Sequence, residues 1–215
     1  MRKLTRNALA ATAVMVTGLG LMSTPAYAAD PWTVSPGGAI SGTNLGPLTA
    51  IDMTTGAAIV CDSSTASGSA KSGSNLPGAG IAQLDSVSFS TPGNPNNWCT
   101  GPVGIVVQVT ATGTPWQFNA QDYDGAGVTT GTLTGVQASI HGSDECDATV
   151  AGPGSDTGTI DGTYDNSDGT LRVSGGNLEV KTVDADCDPS LINAGDQVLL
   201  DGAYQVSPLQ MITHP

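Results

Sequence analysis

The stretch Thr159-Ile160-Asp161-Gly162-Thr163-Tyr164-Asp165-Asn166-Ser167-Asp168-Gly169-Thr170-Leu171-Arg172-Val173-Ser174 reads as two short strands around a turn. Residues 159–164 and 170–174 are rich in threonine, isoleucine, valine, leucine and tyrosine, most of them types that fit a pleated surface. Between them, Asp165-Asn166-Ser167-Asp168-Gly169 supplies side chains that hydrogen-bond their own turn and a glycine that accepts positive φ. Gly175-Gly176-Asn177 predicts a second turn into a strand over 177–183, which would make a meander of three antiparallel strands.

The same writing continues in both directions. Ile105-Val106-Val107-Gln108-Val109-Thr110 is a β-branched run expected to be buried on both faces. Ile81, Val87 and Phe89 occupy odd positions of an alternating run over 80–90, and Trp116, Phe118 and Ala120 alternate with Gln117, Asn119 and Gln121. Further strands are expected at 136–141, 148–151 and 197–206. Helix signals are scarce, since glycine and threonine recur every few residues while glutamate and lysine are few. About ten short strands with polar turns indicate an all-β chain, a single-domain antiparallel β-sandwich or flattened barrel. A barrel embedded in lipid is disfavoured, because three Trp, four Tyr and two Phe cannot build two interfacial girdles.

The N-terminus states a compartment. Arg2, Lys3 and Arg6 precede an apolar run over 8–21, and Pro25-Ala26-Tyr27-Ala28 ends in the A-x-A pattern that signal peptidase cuts. Residues 1–28 are therefore expected to be a removed export signal of the Sec type, with 29–215 a single β-rich extracellular domain. The first cysteine lies at Cys61, so no lipid-modified N-terminal cysteine is expected, and residues 204–215 hold no apolar anchor. The mature chain should be released in soluble form.

Charge narrows the partners. All 19 acidic residues follow Ala29, whereas only Lys71, Arg172 and Lys181 remain of the six basic ones, so the mature chain carries a net charge of −16. Such a surface repels phosphate backbones and anionic headgroups, which argues against nucleic acid and membrane partners. It leaves an unidentified extracellular ligand or protein.

Four cysteines in an exported chain read as two disulfides, with three connectivities open from number alone. Zinc is disfavoured, since no C-x-x-C spacing occurs and His141 and His214 are the only imidazoles. Cys61 and Cys146 each precede aspartate and open a Gly-rich stretch, and a cysteine, a loop and a strand end each half. This rhythm favours Cys61–Cys99 and Cys146–Cys187, and either a degenerate duplication or chance would explain it.

Cys99-Thr100-Gly101-Pro102-Val103-Gly104 before a valine-rich strand, followed by Pro115-Trp116, resembles a group of secreted proteins from Streptomyces and related actinomycetes. Ser72-Gly73, Leu76-Pro77-Gly78-Ala79-Gly80-Ile81, Leu191-Ile192-Asn193-Ala194-Gly195-Asp196 and Tyr204-Gln205-Val206-Ser207-Pro208 fit the same group. The resemblance covers most of the mature chain. It implies an exported, β-rich, four-cysteine protein and brings no activity, cofactor or catalytic residue.

Catalytic patterns are thin. Only His141 could serve as a base for a nucleophilic hydroxyl, since the penultimate residue His214 is expected to be mobile, and no serine sits in a G-x-S-x-G elbow. His141 reads more simply as a solvated residue at a strand end. Most carboxylates stand beside Gly, Asn, Ser or Pro, where aspartate stabilises the turn itself. Trp98 is expected beside Cys99 and Trp116 on a core face.

Two acidic runs bear on metal binding. Asp122-Tyr123-Asp124-Gly125 begins like a calcium loop but lacks ligands at Ala126 and Leu133, and Asp184-Ala185-Asp186-Cys187-Asp188 has Pro189 where an EF-hand needs glycine. Pairing of Cys146 with Cys187 would nevertheless bring Asp144, Glu145 and Asp147 near Asp184, Asp186 and Asp188, a candidate Ca²⁺ cluster, although six carboxylates pointing apart into solvent are the favoured reading. No other cofactor is expected. The reading favoured by sequence is a non-catalytic extracellular binding protein, with a carboxylate-dependent polysaccharide hydrolase and a carrier of a small apolar ligand as alternatives.

Overall fold

The computed structural model describes residues 31–154 and 157–215. The expected export signal, residues 1–28, and its cleavage point before Ala29 lie outside the described residues. The described chain is an all-β fold with two disulfides, Cys61–Cys99 and Cys146–Cys187.

The strands are β1 (Trp32–Ser35), β2 (Gly38–Asn44), β3 (Leu48–Asp52), β4 (Ala58–Cys61), β5 (Ser63–Ala70), β6 (Gly73–Leu76), β7 (Ala82–Ser90) and β8 (Cys99–Thr100). They continue as β9 (Val106–Thr112), β10 (Trp116–Tyr123), β11 (Val128–Gly142), β12 (Asp147–Ala151), β13 (Gly158–Asp165), β14 (Thr170–Val183), β15 (Gln197–Ser207) and β16 (Met211–Thr213). All pair antiparallel, and the large sheet closes on itself.

Closure occurs twice along the barrel axis. Near one end the ring runs β10, β7, β5, β2, β15, β14, β13, β11 and back to β10. Near the other it runs β11, β9, β8, β4, β3, β15, β14, β12 and back to β11. The long strands β11, β14 and β15 belong to both rings and hold them in one frame. Opposite walls face each other as the two packed antiparallel layers of a flattened barrel. A separate three-stranded sheet, β16-β1-β6, packs at the first end through the buried Trp32, Val34 and Ile212.

Alternation determines which face is which. Ile160, Gly162 and Tyr164 of β13 are buried, while Asp161 between them is exposed. Trp116, Phe118 and Ala120 of β10 alternate in the same way, as their sequence suggests. The outward face is rich in Ser, Thr, Gln and Asp, the reverse of the apolar exterior that a lipid-embedded barrel presents. No helix among the described residues is long and apolar enough to cross a membrane.

Several expectations are corrected. The hairpin turn after β13 forms: Asp165 O accepts from Gly169 N at 2.8 Å and Asp165 Oδ1 from Ser167 N at 2.8 Å. Gly175-Gly176, however, does not reverse the chain. Both glycines have positive φ, 67° and 94°, and shift the register against β15 between Gly175 and Leu178, so 170–174 and 177–183 fuse into one bulged strand. The 105–110 run is not buried on both faces, since Gln108 and Thr110 are exposed. In β7 a bulge opposite Ser67/Gly68 changes parity, so Leu84 and Val87 both turn inward. Gly68 is needed there, because a Cβ would collide with the Gln83 carbonyl.

The N-terminal part holds six strands that propensity alone does not announce. The Ser/Gly-rich stretch after Cys61 is β5, whose inward positions include Ala66 and Ala70. The ring of His214, expected to be mobile, packs against Trp32 with centroids 5.0 Å apart.

Candidate ligand-binding cavity

The inward face does not fill the barrel. Ile40, Ile59, Val87, Phe89, Val109, Ile140, Val198 and Leu200 all point inward yet are only half-buried. Native cores pack at near-crystalline density, so inward aliphatic side chains that keep accessible surface face empty space. That space is a cavity of about 230 Å³ with an almost wholly apolar wall, drawn from both rings. It exceeds the roughly 150 Å³ engineered void that stays dry and binds benzene. Small inward residues create it: Ala50, Ala66, Ala70, Ala82 and Ala138 occupy wall positions where leucine or phenylalanine would meet across the barrel.

The wall's polar groups are mostly engaged in structure. Tyr204 OH and Ser64 Oγ lie 2.7 Å apart, and Ser64 Oγ donates to Ser88 O at 2.7 Å. Burial pushes the Tyr204 phenol up to about 12, against the smaller opposing effect of Ser64. Tyr164 OH accepts from Gln210 N at 2.9 Å and donates to Gln210 O at 3.0 Å. Burial also raises the Tyr164 phenol. Gln210 Oε1 accepts from Gly37 N at 2.8 Å.

Asp52 differs. It stands at the end of β3, in the cavity wall, and is only 8% exposed. Its Oδ1 accepts from Thr54 N at 2.8 Å and Thr55 N at 2.9 Å, which closes the β3–β4 turn. Its Oδ2 is buried and, among the described residues, meets no N–H or hydroxyl donor, leaving the Asp196 carboxyl as its hydrogen-bond neighbour. The neighbouring group is the carboxyl of Asp196, also 8% exposed, whose Oδ2 accepts from Asn193 N at 2.8 Å and Asn193 Nδ2 at 3.1 Å. Burial alone would raise Asp196, but hydrogen bonds from Asn193, Thr54 and the Asp52 carboxyl outweigh it and hold the group below its ordinary value.

Among the described residues no Lys or Arg lines the cavity. Lys71 Nζ donates to Ala79 O at 2.8 Å, Lys181 Nζ pairs with Glu179 Oε1 at 2.6 Å, and Arg172 is exposed on the outer face. The acidic side chains of the wall are the buried Asp52 and the solvent-exposed Asp144.

The disulfides form as expected, with Cα–Cα distances of 4.6 Å for Cys61–Cys99 and 4.4 Å for Cys146–Cys187. Cys61 and Cys146 contribute to the cavity wall. The second bridge joins the β11–β12 loop to the β14–β15 loop. Asp144, Glu145, Asp147, Asp184, Asp186 and Asp188 flank it and all are exposed. Four of them engage other groups: Asp147 Oδ1 meets His141 Nδ1 at 2.8 Å, Asp188 Oδ1 accepts from Ser190 N at 2.8 Å, Asp184 Oδ1 from Asp186 N at 3.2 Å, and Asp144 Oδ1 from Cys146 N at 3.5 Å. Among the described residues the one group of three metal-ligand atoms within 4.8 Å is Cys146, Asp184 and Cys187, and its two sulfurs are bonded to each other. The six carboxylates are not gathered into one coordination sphere.

His141 is not simply solvated. Besides Asp147, it packs edge-on against Trp98 with centroids 5.5 Å apart. Among the described residues no hydroxyl hydrogen-bonds this imidazole. Trp98 and Trp116 do not converge: Trp116 lies in the cavity wall, and Trp98 meets His141.

The sequence offered an apolar-ligand carrier only as an alternative and named none of the cavity's lining, and it missed the Asp52–Asp196 pair. The available signal was the run of small inward residues in a chain with few aromatics to fill a barrel. The chain matches no protein-family model, no curated protein and no solved structure.

Proposed function

We propose that this chain is an exported, non-catalytic binding protein that carries a small apolar ligand inside its barrel. One observation carries the reading: the interior is a cavity of about 230 Å³ walled by aliphatic and aromatic side chains. Concave, mostly apolar sites with a few placed polar groups are the usual form of small-molecule pockets. Two disulfides fit an oxidising compartment outside the cytosol. The polar exterior keeps the loaded protein dispersed in water.

The hydrolase alternative finds less support. Sugar sites need polar groups that bond hydroxyls, and this wall offers almost none. Calorimetric titration of the folded protein with octan-1-ol tests the carrier. Saturable 1:1 binding with a negative heat-capacity change is expected. Heats no larger than dilution across the solubility range of octan-1-ol would overturn the reading.

A further inference from the structure

We infer that the barrel selects neutral hydrocarbons and discriminates against guests that carry a hydroxyl, an ammonium or a carboxylate group. This rests on the carrier reading and names the ligand class. The buried polar side chains of the wall already have partners within the fold. Trp116 Nε1 donates to Thr112 O at 2.9 Å, and the Tyr204 hydroxyl meets Ser64 Oγ at 2.7 Å. The Tyr164 hydroxyl is held between the N–H and the carbonyl of Gln210, whose own amide bonds Gly37 N and Pro208 O. Asp52 turns Oδ1 to the N–H groups of Thr54 and Thr55, and its Oδ2 lies against the Asp196 carboxyl. The exposed hydroxyls of Ser41 and Ser67 are engaged by Ser207 O and Ser86 Oγ.

A guest's hydroxyl would shed its water on entry and find these partners taken, so it would carry the cost of an unmade hydrogen bond. A charged head fares worse, because an ion loses its hydration in an apolar interior unless a counter-charge meets it. Among the described residues no Lys or Arg in the wall could meet a carboxylate. The buried acid in the wall, Asp52, has both oxygens engaged, and Asp144 stands in water, where an ion pair contributes little. A hydrocarbon gives up no hydrogen bonds and gains the contacts that the half-buried Ile40, Val109, Ile140 and Leu200 lack. At about 230 Å³ the space exceeds the roughly 150 Å³ that takes benzene, which suits a guest of about ten carbons.

The test compares four probes built on one ring system: naphthalene, 2-naphthol, 2-naphthoate and 2-(aminomethyl)naphthalene. The wild-type chain is titrated calorimetrically into each at pH 7. Naphthalene is expected to bind 1:1 and roughly tenfold or more tightly than 2-naphthol. The two charged probes should bind about a hundredfold more weakly than naphthalene, or not at all. Ala138→Phe, which takes up space in the same wall, should weaken naphthalene and 2-naphthol together. Equal binding of naphthalene and 2-naphthol would mean that the wall offers a free hydrogen-bond partner, and would overturn the inference while sparing the carrier. Tighter binding of either charged probe than of naphthalene would have the same consequence. Failure of both naphthalene and 2-naphthol to bind, or binding that Ala138→Phe leaves unchanged, would remove the carrier reading and this inference together.

Discussion

The side chain of Asn166 pairs with the main chain of Ile212 in both directions, as a neighbouring strand would. Ile212 N donates to Asn166 Oδ1 at 2.9 Å, and Asn166 Nδ2 donates to Ile212 O at 2.8 Å. Thr129 Oγ1 adds a bond to the same carbonyl at 3.0 Å, and Tyr164 binds Gln210. Strand β16 is thereby fixed to the barrel by side chains, and Ile212 and Gln210 close the cavity at that end.

Asn166→Ala should therefore destabilise well beyond a surface change. Asn166 is 4% exposed, and its removal leaves a buried Ile212 N–H without its partner. Two lost hydrogen bonds and one orphaned donor cost about 2–3 kcal/mol. Urea unfolding of the variant checks this, and a midpoint equal to wild type would show that β16 does not depend on the pair.

Buried phenols make the fold sensitive to alkali. The Tyr204 phenol is raised to about 12 in the folded chain, whereas an unfolded tyrosine titrates near 10. A raised folded value means that the neutral form is favoured by folding, so its contribution is full below about pH 10 and is lost as pH rises towards 12. Tyr204→Phe should cost about 1 kcal/mol at neutral pH, because Ser64 keeps its bond to Ser88 O. Its stability should then fall less steeply than wild type between pH 8 and 11 in urea titrations.

Acid acts on the turns. Asp124 is lowered by the main-chain N–H of Val128, followed by those of Ala126 and Gly127. Asp165 is lowered by the Ser167 side chain and backbone, and Asp188 by Ser190 N. Depressed folded values contribute stability above the ordinary carboxylate range, and that stability is lost as pH falls through them. Wild-type stability should decline below about pH 4, and Asp124→Asn should show a shallower decline. Denaturation curves at pH 3, 4 and 6 would show a parallel decline in both chains if the Asp124 turn were unimportant.

Much of this architecture was legible in the sequence, and the misses have physical causes. Alternation of Trp116, Phe118 and Ala120 identified β10, and Asp165 to Gly169 identified the turn between β13 and β14, because both signals are local. Gly175-Gly176 misled because positive φ serves a bulge as well as a turn, and only the register of β15 distinguishes the two. Strand β5 was hidden because Ser and Gly have little intrinsic β preference, and its pairing with β2 and β7 creates it. The lining of the cavity was hidden for a related reason. Whether Ala66 and Ala138 face a neighbour or a void depends on barrel closure, which is not written locally. Asp52 looked like one more turn aspartate, as its Oδ1 is, and its second oxygen acquires meaning only beside Asp196.

The disulfides should carry comparable weight. Cys61–Cys99 and Cys146–Cys187 close sequence separations of 38 and 41 residues. In the chain-entropy picture each stabilises the fold by about 4 kcal/mol. The paired variants Cys61→Ala/Cys99→Ala and Cys146→Ala/Cys187→Ala should lose similar amounts in guanidinium unfolding. A loss confined to one pair would show that the native barrel, rather than the unfolded chain, feels that bridge.

The central claim is that the barrel interior is empty and takes an apolar guest, and a cavity-filling variant tests it most directly. Ala138 is half-buried in the cavity wall. In a close-packed core, Ala138→Phe would cost about 1–3 kcal/mol by overpacking, whereas a void accommodates the ring. Naphthalene binding is followed through the tryptophan emission of both chains, since Trp116 lines the same wall. The expected result is saturable 1:1 binding to wild type, at least tenfold weaker binding to Ala138→Phe, and an unfolding midpoint in the variant no lower than wild type. Equal naphthalene binding by the two chains, or a variant that unfolds early and a wild type that binds nothing, would contradict the account.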